Sequence, residues 1–203
     1  IGAVTGVQGI HWTEITLRGQ TNHAGTTPMA MRRDAGQVAF AIAKSANCIA
    51  NGIGAPHVAT VGSVELSPGL VNVVPNYARF TVDMRNKNGD VLNEATEFLL
   101  TEARRLAKHA GCEIEIRELA RFAPVVFDDS LVSKVEKAAY SRQLPVRRMA
   151  SGAGHDAQMF APNCPTAMIF IPSVDGLSHN INEYSHEADI AAGAQVLFDV
   201  VCD

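Results

Sequence analysis

The chain has 203 residues, of which 47% are hydrophobic and 19% charged, with 17 Lys plus Arg against 21 Asp plus Glu and a formal net charge of −4. Such a composition buries a sizeable core and excludes a disordered chain. Its slightly acidic balance lacks the electrostatic footprint of a nucleic-acid or anionic-membrane binder. Among the longest apolar runs, Ala167 to Pro172 falls far short of the ~20 residues of a membrane helix, so a soluble cytoplasmic protein is expected. Cys48, Cys112, Cys164 and Cys202 form no C-x-x-C pair, and all four are expected to be buried small hydrophobes.

In chain order, Ile1 to Val4 reads as an apolar strand start. His11 to Arg18 alternates around Ile15 and Leu17 and predicts a strand ending at Gly19. After a loop of turn formers, Asp34 stands three residues before Gln37 and ahead of Val38, Ile42, Ala46 and Ile49, the spacing of a capped amphipathic helix that stops near Gly52. His57 to Leu66 predicts a second strand interrupted by Gly62. Tyr77 to Arg85 predicts a third, with Ala78, Phe80, Val82 and Met84 on one side. A helix from Asp90 carries Leu92, Ala95, Leu99, Leu106 and Ala110 and is closed by Gly111. Cys112, Ile114 and Ile116 alternate in a fourth strand.

This β-α-β-β-α-β order predicts a ferredoxin-like α+β module with both helices on one face of an antiparallel sheet. The other face is left open, and a bare pairing or binding module with no chemistry is the competing reading. Beyond Pro124 the pattern changes to a helix near Asp129 to Arg142, a Gly-rich loop Ser151 to Asp156, an apolar strand Ala167 to Ile171, and a helix from Glu187 to Val201. The unalternating AMIFI run predicts a strand covered on both faces of a parallel sheet. Two helices cannot cover such a sheet, so the second half reads as an incomplete α/β piece of a larger enzyme.

Seven histidines occur without any local two-ligand spacing. Three stand in loops suited to chemistry. His23 lies in Asn22-His23-Ala24-Gly25-Thr26-Thr27-Pro28, where small residues leave the imidazole accessible. His155 follows Gly152-Ala153-Gly154, whose backbone N–H groups are candidate oxyanion donors, and precedes Asp156, a candidate to fix its tautomer. His179 follows the buried strand, with Glu183 nearby, at the end of a strand where sites form in open α/β sheets. Arg85 closes its strand beside Asp83; its guanidinium is suited either to a substrate carboxylate or to a salt bridge with Asp83.

At Asn22 to Met29 (NHAGTTPM), Arg32-Arg33-Asp34, Val71 to Pro75 (VNVVP), Asp83-Met84-Arg85, Ser151 to Ala157 (SGAGHDA) and Ile169 to Glu183 (IFIPSVDGLSHNINE), the chain resembles the amidase, hydantoinase and carbamoylase branch of the M20 metallopeptidase-like family. Allantoate amidohydrolases and N-carbamoyl-L-amino-acid hydrolases belong to that branch. The resemblance implies a ferredoxin-like lid and dimerisation domain over residues 8–121. Residues 1–7 would end an upstream catalytic segment, and residues 122–203 would form the C-terminal part of the α/β catalytic domain.

It further implies hydrolysis of linear amide or carbamoyl C–N bonds in small carboxylates by two divalent metal ions, zinc or manganese, with cobalt or nickel as alternatives, in a homodimer joined through the lid. By the same resemblance His179 is a metal ligand, His23 a catalytic lid residue and Asn72 a substrate-binding one, both reaching across the dimer. Arg85 clamps the substrate carboxylate, and Gly152, Gly154 and His155 line the pocket. Ile181 departs from the proline expected after Ser178-His179-Asn180. The remaining ligands and the catalytic Glu belong to an upstream segment, so these 203 residues alone are expected to be inactive, because a catalytic zinc takes about three protein ligands. An M20 aminoacylase or exopeptidase and a catalytically dead dimerisation module are the alternatives.

Overall fold

The computed structural model describes residues 1–202. They divide into two compact units, Gly9–Pro124 and a second made of Ile1–Gln8 with residues 125–202. No helix among the described residues is long and apolar enough to cross a membrane.

The contiguous unit carries four of the strands. The chain opens with β1 (Gly2–Val7), which belongs to the other unit, and continues into β2 (Gly9–Arg18), α1 (Ala35–Ile53), β3 (Val58–Ser67), β4 (Tyr77–Asn86), α2 (Gly89–His109) and β5 (Glu113–Phe122). The predicted β-α-β-β-α-β order is therefore present, and the strands lie side by side as β3-β4-β2-β5 with every neighbour antiparallel. Alternation explains the packing: Ala78, Phe80, Val82 and Met84 of β4 and Ile15 and Leu17 of β2 are buried on one face. They meet Val38, Ile42 and Ala46 of α1 and Leu92, Leu99 and Ala103 of α2. Burying one such aliphatic or aromatic side chain contributes about 1.5–3 kcal/mol.

Local signals end the elements where expected. The Asp34 carboxylate accepts from the Gln37 N–H at 2.9 Å, capping α1. α2 starts one residue before the predicted Asp90, because Asn88 caps it through the N–H groups of Asp90 and Val91. Gly111 turns the chain out of α2 at φ +65°, a conformation costly for any residue with a Cβ. The interruption predicted at Gly62 is a register shift between Val61 and Ser63 on edge strand β3.

In the second unit, β1 is joined by β6 (Val125–Val126), α3 (Asp129–Ser141), β7 (Arg147–Ser151), α4 (Asp156–Phe160), β8 (Met168–Phe170) and α5 (Glu187–Cys202). β7 runs parallel along one edge of β1. β6 and β8 share the other edge, both antiparallel: Gly6 and Val7 face Val126 and Val125, while Gly2 to Val4 face Phe170 to Met168. Ala3, Val4, Val132, Val135, Ala139 and Val196 form the buried centre.

Two expectations are corrected here. The AMIFI strand is antiparallel to its neighbour, and Met168, Ile169 and Phe170 are all half-buried, not doubly covered in a parallel array. β7 and α4 were not foreseen. Of the cysteines only Cys112 is buried, while Cys48, Cys164 and Cys202 are exposed free thiols. Burial raises the Cys112 thiol above its ordinary value.

Candidate functional site

In the contiguous unit, His23 and Asn72 are brought together by a short continuation of the β2/β4 pairing. Beyond Arg18 and Tyr77, the Gly19 N–H donates to the Asn76 carbonyl. Val74 N–H then donates to Asn22 O and Ala24 N–H to Asn72 O, each at 2.9 Å. His23 lies opposite Val73 in an isolated antiparallel bridge. Both side-chain positions are exposed.

The imidazole of His23 is nonetheless held. Its Nδ1 accepts from the backbone N–H of Gly25 at 3.0 Å and of Thr26 at 3.2 Å. Backbone N–H groups only donate, so Nδ1 is the unprotonated nitrogen and the neutral ring carries its proton on Nε2. The Thr27 hydroxyl donates to the His23 carbonyl at 2.7 Å, closing the turn.

Arg85 lies near the opposite end of the same sheet, paired in register with Ile10 on one side and Val58 on the other. Both carboxylate oxygens of Asp83 receive its fork: Nε donates to Oδ1 at 3.0 Å and Oδ2 at 3.1 Å, and Nη2 to Oδ2 at 2.6 Å. The salt-bridge alternative foreseen from the sequence is thus realised. With side chains 23% and 29% exposed, the pair is half-screened, and its main effect is to fix the guanidinium plane. From Tyr77 to Arg85 is 85 − 77 = 8 strand residues, about 27 Å at about 3.4 Å per residue.

In the other unit, Ser151 is buried at the end of β7. Its hydroxyl donates to the Ala153 carbonyl at 2.8 Å and accepts from the Ala153 N–H at 3.1 Å. With the hydroxyl hydrogen so placed, the 3.1 Å contact between His155 Nε2 and Ser151 Oγ makes Nε2 the donor. Ser151, and not the expected Asp156, therefore orients this imidazole; Asp156 begins α4 immediately afterwards. Of the anticipated oxyanion donors, the Ala153 N–H is already engaged by Ser151. Gly152 and Gly154 are exposed in the loop. His155 also borders a cavity of about 580 Å³, otherwise lined by apolar groups such as Phe170, Ile190 and Leu197.

His179 sits in an exposed loop at φ +55°, and Asp175, four residues earlier in a short 3-10 turn, has the same φ. Left-handed backbone is uncommon for residues with a Cβ. Here Glu183 Oε2 accepts from the His179 N–H at 2.8 Å and holds the turn. Among the described residues no group of three or more His, Cys, Asp or Glu stands close enough to hold a metal ion.

The remaining buried histidines are structural. His11 Nδ1 meets the Thr96 hydroxyl at 2.9 Å, and since that hydroxyl donates to the Leu92 carbonyl, the imidazole is the donor. His57 Nδ1 lies 3.1 Å from Asn86 Nδ2. Burial lowers the pKa of both from the ordinary histidine value, with Arg121 adding to the effect at His11.

The family model for peptidase family M20/M25/M40 matches residues 10–203. Allantoate amidohydrolase of Escherichia coli (strain K12) is 40% identical over 197 residues, covering 97% of this chain and 48% of that protein. The N-carbamoyl-L-amino acid amidohydrolase of Geobacillus stearothermophilus is 34% identical over 205 residues, covering 99% and 49%. Among solved structures, an amidase of the hydantoinase/carbamoylase family from Burkholderia multivorans superimposes with a TM-score of 0.92 at 40% identity, over 98% of this chain and 48% of that one. The chain spans about half the length of the relatives it matches.

Proposed function

This chain belongs to peptidase family M20/M25/M40, and from that premise we propose that it forms part of a metal-dependent amidohydrolase cleaving linear amide or carbamoyl C–N bonds in small carboxylates, allantoate or N-carbamoyl-L-amino acids. The observation that carries the reading is the 34–40% identity, over nearly the whole chain, to an allantoate amidohydrolase and an N-carbamoyl-L-amino acid amidohydrolase. On this reading residues 8–121 act as a ferredoxin-like lid.

Each residue then has a task its geometry suits. Arg85, its plane set by Asp83, binds the substrate carboxylate through charge-assisted hydrogen bonds. His23 presents Nε2–H to the oxygen that gains negative charge when the scissile carbonyl is attacked, and Asn72 adds an amide donor. His155 and the Gly152 and Gly154 backbone line the substrate pocket.

The described residues do not by themselves fit a divalent cation, since no three ligating side chains cluster and such an ion takes three or more protein ligands. We assign His179 as one ligand, for zinc or manganese, with cobalt or nickel as alternatives, the others coming from sequence outside the match. The 203 residues alone are accordingly inactive. The span of about 27 Å along β4 between the Arg85 end and the His23 end exceeds a small carboxylate. One substrate touched by both groups requires two copies of the chain, which supports a homodimer in which His23 and Asn72 serve the partner's site.

The test is ammonia release by the full-length protein from allantoate and from N-carbamoyl-L-amino acids, with each of the four metals added in turn. Turnover is expected with at least one metal. No turnover with any pairing would refute the reading, and faster cleavage of dipeptides would replace it with an exopeptidase.

A further inference from the structure

We propose that Arg32 is a positioning residue for His23, acting through the turn that carries it. The guanidinium of Arg32 reaches back along the chain to that turn: Nη2 donates to the Ala24 carbonyl at 2.5 Å and Nε to the Thr27 carbonyl at 3.1 Å. These carbonyls lie on either side of Gly25 and Thr26, the two residues whose N–H groups converge on His23 Nδ1. A planar fork that ties both flanks fixes the direction of the N–H groups between them, as a point charge on a flexible stem cannot.

Gly25 completes the arrangement. A Cβ there would stand 3.2 Å from His23 Cε1 and 3.5 Å from Nδ1, a tight contact that would push the ring a few tenths of an ångström, so the missing side chain leaves the imidazole room beside both donors. Thr27, buried at the foot of the turn, donates its hydroxyl to the His23 carbonyl. The result is an exposed imidazole with one tautomer and one orientation, Nε2–H facing outward. Arg32 is half-buried, and the hydrogen bonds its guanidinium makes among the described residues go to these two carbonyls of the turn. The inference rests on the proposed catalytic task of His23 for its kinetic consequence, but not for its structural content.

The experiment separates the two. In full-length protein labelled with ¹⁵N-histidine, the His23 ring signals, identified by their loss in His23→Asn, are expected to show an unprotonated Nδ1 and a protonated Nε2. In Arg32→Lys the two ring nitrogens are expected to shift toward an averaged, mixed-tautomer pattern. kcat is expected to fall roughly 10- to 100-fold, the scale of a small misplacement of a reacting group, with KM changed less than about twofold. If Arg32→Lys does not fold, Arg32→Ala supplemented with ethylguanidinium replaces it, and recovery of both the spectrum and kcat is expected. An unaltered ring spectrum in either variant, without the supplement, would overturn the positioning role. Unchanged kcat in His23→Asn alongside an altered ring spectrum in Arg32→Lys would overturn only the task assigned to His23.

Discussion

Mixing two inactive variants gives the sharpest test of the two-copy site. His23→Ala removes the group at one end of the four-stranded sheet of the contiguous unit and Arg85→Ala the group at the other, about 27 Å away along β4. Each variant alone should lose most activity. When equal amounts are dissociated and reassociated, half of the dimers are mixed. In each of these one site combines an intact Arg85 from one protomer with an intact His23 from the other, while the second site has lost both. Activity should therefore return to about one quarter of wild type, the statistical share for an isologous pair. The assay is ammonia release at saturating substrate, with mixed dimers isolated through two different affinity tags, where the value should rise to about one half. Activity that stays at the level of the separate variants, in a sample shown to contain mixed dimers, would refute the assignment of the two groups to different protomers.

Three further outcomes follow from the geometry. Arg85→Lys keeps the charge but cannot reproduce the fork held by Asp83, so KM should rise about tenfold or more with kcat changed less; steady-state kinetics on the full-length enzyme check it, and an unchanged KM refutes the clamp. His11 and His57 have folded-state pKa values below their unfolded value of about 6.5. Unfolding therefore takes up protons below that pH, and stability present above about pH 6.5 is lost as pH falls through it toward the lower folded values, by at most about 1.4 kcal/mol per pH unit per histidine. Urea titrations between pH 7.5 and 5 should show the slope, and His57→Gln should flatten it. Ile15→Ala, at a fully buried site in the β3-β4-β2-β5 sheet, should cost about 2–5 kcal/mol, read as a lower urea midpoint; a loss below about 1 kcal/mol would contradict the packing described.

Signals that act over a few residues were legible in the sequence. The Asp34 cap, the alternation of β4 and the exit of α2 at Gly111 each depend on neighbours within one or two turns, and the structure follows them. What depends on distant partners was not. β7 reads Arg-Arg-Met-Ala-Ser and shows little apolar pattern; it is a strand because β1 supplies the parallel edge. β8 looked doubly covered because a run of three half-buried apolar residues is indistinguishable, by composition, from a central strand. The same holds at the site. His23, Asn72 and Arg85 were visible as residues, and the exposed thiols were misjudged because free cysteine is usually interior. The tautomer of His155 was attributed to the adjacent Asp156, whereas a hydroxyl four residues back orients it. Arg32 went unnoticed as a partner of His23, since its contacts are to main-chain carbonyls that any residue possesses.

The pairing of β1 has a consequence for biosynthesis. Its partners among the described residues begin at Val125, Arg147 and Met168, so this apolar segment leaves the ribosome well over a hundred residues ahead of them. The intervening unit, contiguous from Gly9 to Pro124, has all its strands once Phe122 is out and can form its core during elongation. Throughout that interval the unpaired backbone of β1 is a template on which another chain can pair.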